Sequence, residues 1–306
     1  MRESALVWTG NSDLNGQPIA VFARVGANRK VKGKVKARQV LALSVVPMVT
    51  VSKVRAADHG QSAIKLGTTY RHSLIDGAID SVCDDTCAHK GRRNGETLPK
   101  ARCYAQYNAQ SVSEPITTIR KAGPAIKARP NALRNHLRAH RFQSGDKYRL
   151  MVVGSTGAIP AAVVDNMLST FADFGMQSLA YVENWRDRPD LRETHMASCY
   201  TLEDLADARA EGWRGFYSPA AEHLGNVLPE GATLCPGSVY RKYAGLKIMS
   251  CADCGLCDGA GKGLSIVSPR HGNGDASRVQ SLVRKGVLGR LIYTAKGKVI
   301  GAYAAA

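Results

Sequence analysis

The chain has 306 residues, enough for one large hydrophobic core or one core with small appendages. Its hydrophobic content of 44% is ordinary for a soluble globular protein, and no run of residues resembles a membrane span. The first residues lack the basic-then-apolar layout of a signal peptide, so we expect a cytoplasmic location and no membrane partner. In that reducing compartment, clustered cysteines favour metal binding over disulfides.

Charge is the second global feature. Forty-two Lys and Arg residues against twenty-five acidic ones give a net charge of +17. Such a field attracts polyanions, so the composition predicts a nucleic-acid partner, either DNA or RNA. A nucleotide or an acidic protein remains an alternative, because charge indicates partners and not a fold.

Residues 1–58 are rich in β-branched and apolar residues, and we expect this region to be a separate β-rich segment. The runs 18–25 and 37–46 flank a turn-rich, basic connection, which is typical of a β-hairpin. The tip could lie along a phosphate backbone or could simply be a solvated loop. The candidate nucleic-acid contacts there are Arg29, Lys30, Lys32 and Lys34.

A first group of candidate metal ligands follows in a region with little periodicity. Cys83, Cys87 and Cys103 supply three thiols, and His89 lies between them. A neutral imidazole completes Cys3His zinc sites, so His89 is either a fourth ligand or a surface histidine. Arg92 and Arg93 in the same loop are further candidate nucleic-acid contacts.

From residue 148 onward the pattern alternates between strands and helices, after a helical stretch over 113–141 that Gly123-Pro124 interrupts. This alternation is typical of parallel βαβ units. No dinucleotide-binding glycine motif, Walker loop, Gly-x-Ser-x-Gly or His-Glu-x-x-His is present. We therefore predict an α/β fold with a partial or closed TIM-like barrel. The predicted strands cover 149–154, 177–182, 195–200, 213–217, 232–235 and 264–267.

Polar residues stand where several of these strands end, as barrel active sites require. Ser155 follows the first strand, Glu183 and Asn184 follow the second, and Cys199 and Cys235 end later ones. The pattern indicates a site at the barrel mouth. Strand ends are polar in other α/β proteins as well, and a buried strand cysteine such as Cys199 is more often a core residue than a nucleophile.

Cys235, Cys251, Cys254 and Cys257 form a second group of candidate ligands. The repeated Cys-x2-Cys spacing lets neighbouring sulfurs bind one ion within a tight turn. Four thiolates suit a tetrahedral zinc or four cluster irons. We expect this segment to close a central domain, residues 59–271, and residues 272–306 to form a basic helix-hairpin tail.

Several short motifs resemble, in the same order, those of a group of tailed-phage proteins, and the resemblance covers most of residues 1–271. Part of that group looks like radical SAM proteins, with a cysteine triad ending in Cys-Tyr-Ala and then a βα barrel. The resemblance rests on 7–12 (Val-Trp-Thr-Gly-Asn-Ser), Cys103-Tyr-Ala, 180–185, Met196-Ala-Ser, Gly212-Trp-Arg, Cys235-Pro and 251–257.

The resemblance implies an iron–sulfur enzyme acting on nucleic acid or nucleotides in the cytoplasm of an infected host. Its open cluster would be held by Cys83, Cys87 and Cys103, and the later four cysteines would hold an auxiliary cluster. Ser155 and Gly157 would bind the SAM cofactor, and Glu183 and Asn184 would contact substrate or SAM.

The chain departs from the radical SAM pattern, because Lys90 stands where the third cysteine is usual. The alternative is therefore a non-catalytic, zinc-stabilised nucleic-acid-binding protein. Its two structural zinc ions would lie on Cys83, Cys87, His89 and Cys103 and on the later four cysteines.

Overall fold

The computed structural model describes most of the chain and divides it into two compact units, residues 1–184 and 185–306. The arginines and lysines of the predicted hairpin tip, together with Cys87, His89 and Cys103, lie outside the described residues. The described residues are 3–26, 39–58, 63–75, 78–83, 92–93, 96–97, 109–219, 228–238, 247–259, 263–268, 290–293 and 299–303.

The first unit is built on a mixed sheet with the strand order β1-β2-β3-β6-β7. β1, β2 and β3 pair antiparallel, whereas β3, β6 and β7 run parallel. The predicted hairpin is confirmed, since β2 and β3 pair from Ile19↔Pro47 to Val25↔Leu41. The strands of this unit are β1 (Ser4–Asn11), β2 (Pro18–Val25), β3 (Val40–Pro47), β4 (Arg92–Arg93), β5 (Glu96–Thr97), β6 (Lys147–Val153), β7 (Gln177–Ser178) and β8 (Ala180–Val182).

Helices cover this sheet. Phe22 of β2 and Val46 of β3 share one hydrophobic cluster with residues of α1, α2 and α3, among them Val54, Tyr70 and Ile116. Against β6, Phe171 of α5 stacks on Tyr148 with ring centroids 4.1 Å apart. The helices are α1 (Met48–Ala57), α2 (Ala63–Ile75), α3 (Ala109–Ala122), α4 (Ala132–Ala139) and α5 (Ala161–Asp173).

The second unit contains a parallel set of strands in the order β11-β12-β10-β9. β9, α6 and β10 form a βαβ unit, as the alternation predicted. α6 begins with a capping box. The Thr201 hydroxyl accepts a hydrogen bond from the Asp204 backbone N–H, and the Asp204 carboxylate accepts one from the Thr201 backbone N–H. The elements are β9 (His195–Cys199), α6 (Leu202–Ala210), β10 (Gly215–Tyr217), β11 (Ala232–Leu234), α7 (Cys251–Cys254), β12 (Ser265–Val267), β13 (Arg290–Tyr293) and β14 (Val299–Tyr303).

The α/β class is confirmed, but the described strands show no closed barrel. β6, expected as the first barrel strand, lies instead between β3 and β7. The reason is that Val40–Pro47 is buried along its whole length and pairs at both edges, with β2 on one side and β6 on the other. The N-terminal strands β1, β2 and β3 therefore share one sheet with β6.

The tail hairpin predicted near the end of the chain is present as the antiparallel pair β13 and β14. Among the described residues, no helix has the length and apolar character needed to cross a membrane.

Candidate active site at the carboxyl edge of the first sheet

β6 is bent before it reaches its carboxyl end. Its register against β3 shifts between Ala42 and Ser44, and Met151 adopts a left-handed conformation with φ 54°. A bulge of this kind re-aims the end of a strand and often stands beside a functional site. Here it directs the segment that begins at Gly154.

Gly154 places Ser155, the first residue predicted to bind the cofactor, directly beside Val82, which precedes Cys83. Its φ is +80°, and a Cβ there would lie 2.3 Å from Val45 Cγ1 and 3.1 Å from the Val82 carbonyl oxygen. The next residue, Ser155, donates its backbone N–H to that same Val82 carbonyl over 2.7 Å. Cys83 follows Val82 and is half-buried against the main core cluster. The end of β6 is thus hydrogen-bonded to the residue that precedes Cys83.

Gly157 and Asn184 form the next contact at this edge. The Gly157 backbone N–H donates to Ser155 Oγ over 3.2 Å. A Cβ on Gly157 would lie 2.5 Å from Asn184 Nδ2, so only glycine lets the amide lie against the backbone. Asn184 is 7% exposed, and its buried Oδ1 accepts no hydrogen bond from the described residues. A buried acceptor without a donor is costly and marks a place where a ligand could bind.

A cavity of about 590 Å³ opens at the same edge. It lies between the β1–β2 turn, the junction of β3 with α1, Ser73 of α2 and the 3₁₀ turn Ala78–Ser81. The Cys83 backbone N–H closes that 3₁₀ turn by donating to the Ile79 carbonyl. The β1–β2 turn also reaches the Gly157 segment, because Asp13 N–H donates to the Ala158 carbonyl over 3.1 Å. The cavity, Cys83, Ser155 and Gly157 therefore share one edge.

The predicted site residues Cys83, Ser155, Gly157 and Asn184 stand at this edge but are not among the residues that line the cavity. Cys83 offers one thiol, Asn184 offers an unsatisfied acceptor, and the cavity has the size of small-molecule sites. Glu183 is half-buried next to Asn184. Arg92 and Arg93 lie in the short strand β4, which pairs with β5.

The second group of cysteines spans a parallel sheet from one edge to the other. Cys235 lies at the carboxyl edge, where its backbone N–H donates to the Val267 carbonyl at the end of β12. The segment before α7 reaches the same place, since Met249 N–H donates to the Pro236 carbonyl over 2.9 Å. Ser250 caps α7 by accepting from the Asp253 backbone.

Arg214 holds the other end of this segment at the amino edge. It immediately precedes β10, and its side chain is 5% exposed. It donates to the Leu256 carbonyl over 2.6 Å and to the Leu264 carbonyl over 2.9 Å, and it pairs with Asp258. Sequence reasoning missed Arg214, because its partners lie more than forty residues away in the chain.

This arrangement does not gather the four sulfurs into one site. The described residues include all four cysteines, yet no group of three or more His, Cys, Asp or Glu side chains among them is close enough to hold a metal ion. The chain near Cys257 is held at the amino edge, whereas Cys235 stands at the carboxyl edge. The soft thiol set suits zinc or iron, so the metal remains a prediction that rests on donor chemistry.

Cys199 is a core residue. It is fully buried in β9, and its Sγ contacts the Ala197 and Asp204 carbonyl oxygens. Burial raises the pKa of the Cys199 thiol to about 12. A thiol that stays protonated at neutral pH is a poor nucleophile, which agrees with the structural interpretation of this residue.

No protein-family model, no curated protein and no solved structure matches the chain.

Proposed function

We propose that the protein is an iron–sulfur enzyme of the radical SAM type that acts on nucleic acid or nucleotides. The observation that carries the proposal is the bond from Ser155 N–H to the Val82 carbonyl, 2.7 Å long. It joins the segment predicted to bind the cofactor to the segment that begins the predicted cysteine triad.

The residues at this edge have separate roles in the proposal. Cys83, with Cys87 and Cys103, would hold the cluster, and a cluster bound to SAM would supply the electron that splits the cofactor. Ser155 and Gly157 would line the cofactor, and Asn184 Oδ1 would accept a hydrogen bond from it. Glu183 would contact the substrate or SAM. The proposal retains the partial TIM-like βα barrel that the strand–helix alternation within residues 59–271 predicts.

The basic composition supports the substrate class. A net charge of +17 raises the local concentration of phosphate-bearing molecules near the surface. Arg29, Lys30, Lys32, Lys34, Arg92 and Arg93 are the proposed phosphate contacts, and DNA and RNA are both candidates.

A second function is favoured by the second unit. Arg214 and the Ser250 cap hold the two ends of the segment 247–259, and a metal that drew its sulfurs together would stabilise the fold of this unit. In this function both cysteine groups would hold structural zinc, with His89 as the fourth ligand of the first, and the protein would bind nucleic acid without catalysis.

Metal content separates the two functions. The protein is purified without oxygen, its visible spectrum is recorded, and iron and zinc are counted. Brown protein with iron on both groups, which splits SAM when a chemical reductant is added, supports the enzyme. Colourless protein with two zinc ions overturns it.

Two cysteine variants assign the metal. Cys83→Ala should lose about half of the bound iron and all SAM cleavage. Cys199→Ala is the matched control, because Cys199 lies in the core outside both groups, and it should keep both. Equal iron in the two variants would remove Cys83 from the site. If the protein is the iron–sulfur enzyme, His89→Ala should leave the iron content unchanged. If it is the zinc protein, His89→Ala should lower the zinc content.

A further inference from the structure

The cavity beside the 3₁₀ turn is lined by polar side chains on several walls. Its volume of about 590 Å³ lies within the range of small-molecule sites. The polar lining consists of Asn15, Gln17, Lys53, Ser73, Asp80 and Ser81. Chemical character changes from one wall to another, which indicates a ligand with unlike ends.

One wall is cationic. Lys53 lies four residues after Val49 on α1, so both occupy the same face of the helix and line the cavity. The first turn of α1 contains no acidic residue, and Pro47 provides no side-chain cap for its peptide N–H groups. A lysine in the lining of a cavity that also includes the uncapped start of a helix favours an anionic group such as a phosphate.

The other elements that line the cavity carry neutral or acidic polar side chains. Asp80 and Ser81 belong to the 3₁₀ turn that leads to Cys83. A carboxylate accepts hydrogen bonds from hydroxyl or amino groups and repels a second phosphate. Asn15 and Gln17 add amides, which donate and accept and so can pair with the edge of a base. An inorganic anion would use only the lysine wall.

We propose that this cavity binds one nucleotide, with its phosphate at Lys53 and its sugar hydroxyls or base facing Asp80 and the Asn15–Gln17 turn. The inference rests on the proposed function, because it names the substrate class of the site that Cys83 adjoins. It limits the ligand to a single nucleotide, either free or at the end of a strand.

The test is a calorimetric titration of the protein as isolated, without reductant or SAM. The probes are the four ribonucleoside and four deoxyribonucleoside 5′-monophosphates, the matching nucleosides, inorganic phosphate and a short single strand carrying a 5′-phosphate. Lys53→Gln should weaken nucleotide binding about tenfold or more and leave nucleoside binding unchanged. Lys127→Gln, an exposed lysine outside the cavity, removes the same charge and should have little effect. Thermal melting of each variant verifies that it is folded.

The outcomes separate the nucleotide source and the two proposals. Binding of free monophosphates supports a mononucleotide substrate, and binding of only the 5′-phosphorylated strand supports a strand end. The inference is overturned if neither the free monophosphates nor the 5′-phosphorylated strand binds. It is also overturned if the two lysine variants lose equal affinity, or if inorganic phosphate binds as tightly as the nucleotides. Nucleotide binding in this titration does not require iron. If the protein contained zinc and still bound nucleotides, the radical SAM function would be refuted and the present inference would stand.

Discussion

The carboxyl edge of the first sheet and the cysteine segment of the second unit hold their predicted site residues in different ways. At the first edge, short contacts bring Cys83, Ser155, Gly157 and Asn184 to neighbouring positions. In the second unit, hydrogen bonds hold Pro236 and Leu256 at opposite edges of a parallel sheet.

The difference teaches which of these two regions depends on a metal for its geometry. The first edge is assembled by backbone hydrogen bonds and close glycine contacts, so its shape is specified without a bound ion. The segment 247–259 is anchored at its two ends, and the sulfurs between them are not gathered. A metal that binds all four cysteines would have to draw this segment together, and binding would then be coupled to local folding.

The largest effect is expected at Gly154. Gly154→Ala places a Cβ 2.3 Å from Val45 Cγ1 in a backbone with φ +80°, so both strain and overpacking oppose it. We expect the free energy of unfolding to fall by about 3 kcal/mol in urea denaturation. Gly16→Ala is the control, since Gly16 also has positive φ (+71°) but no neighbour within 4 Å of the new Cβ. It should cost about 1 kcal/mol. Equal costs would mean that the edge is not tightly packed.

Arg214 tests the anchor of the cysteine segment. Arg214→Gln leaves the Leu256 and Leu264 carbonyls without their donor, and we expect a loss of about 2 kcal/mol in the free energy of unfolding. The exposed pair of Arg134 with Asp173 provides the control, and Arg134→Gln should cost less than about 1 kcal/mol. Metal content measured on the same samples should also fall in Arg214→Gln. Unchanged stability would show that the segment is held by other contacts.

Local signals predicted local structure well. The β2–β3 hairpin follows from two apolar runs around a basic turn, and the α6 capping box follows from Thr201 and Asp204. The helix α1 was missed, because Val49, Val51 and Val54 favour a strand locally while packing beneath β2 and β3 favours a helix. Tertiary burial decided between the two.

Long-range pairings were beyond the sequence patterns. The parallel pairing of β3 with β6 joins residues about a hundred positions apart, and no periodicity indicates it. The strand ends pointed to Ser155 and Asn184, and the structure brings Gly157, two residues after Ser155, against Asn184. Three further features depend on contacts between distant segments, so only the structure reveals them. They are the unsatisfied Oδ1 of Asn184, the bulge at Met151 and the hydrogen bonds of Arg214.

A pH effect of intermediate size is expected from His136 in the first unit. Burial, and then the nearby His140 ring 4.5 Å away, lower the pKa of His136 to about 4. Between that pH and 6.5 the unfolded chain binds a proton that the folded chain does not. Stability is therefore full above pH 6.5 and falls as the pH drops toward 4, by about 2 kcal/mol.

The pH effect can be assigned by two substitutions. His136→Gln should reduce, by the contribution of this one histidine, the difference in unfolding free energy between pH 7 and pH 4.5. His195 is fully buried in the second unit, and its pKa is lowered to about 3 mainly by burial. His195→Gln should therefore reduce the pH dependence of the unfolding free energy over a range that extends to lower pH than for His136→Gln. If the unfolding free energy of His136→Gln depends on pH as steeply as that of the wild type, His136 is not the cause.

The smallest effect on stability is expected at Asn184, and it bears most directly on the first edge. Asn184→Leu keeps the branching and the number of side-chain heavy atoms and removes an acceptor that no described donor satisfies. The unfolding free energy should change by less than about 1 kcal/mol, because the buried carbonyl contributes little without a partner. SAM binding to the anaerobic protein, followed by calorimetry, should weaken about tenfold or more. Asn166→Leu changes an exposed amide on α5 in the same way and should alter neither quantity. A loss of stability above about 2 kcal/mol in Asn184→Leu, with SAM binding intact, would make the amide a structural group and the first edge a packed terminus without a ligand.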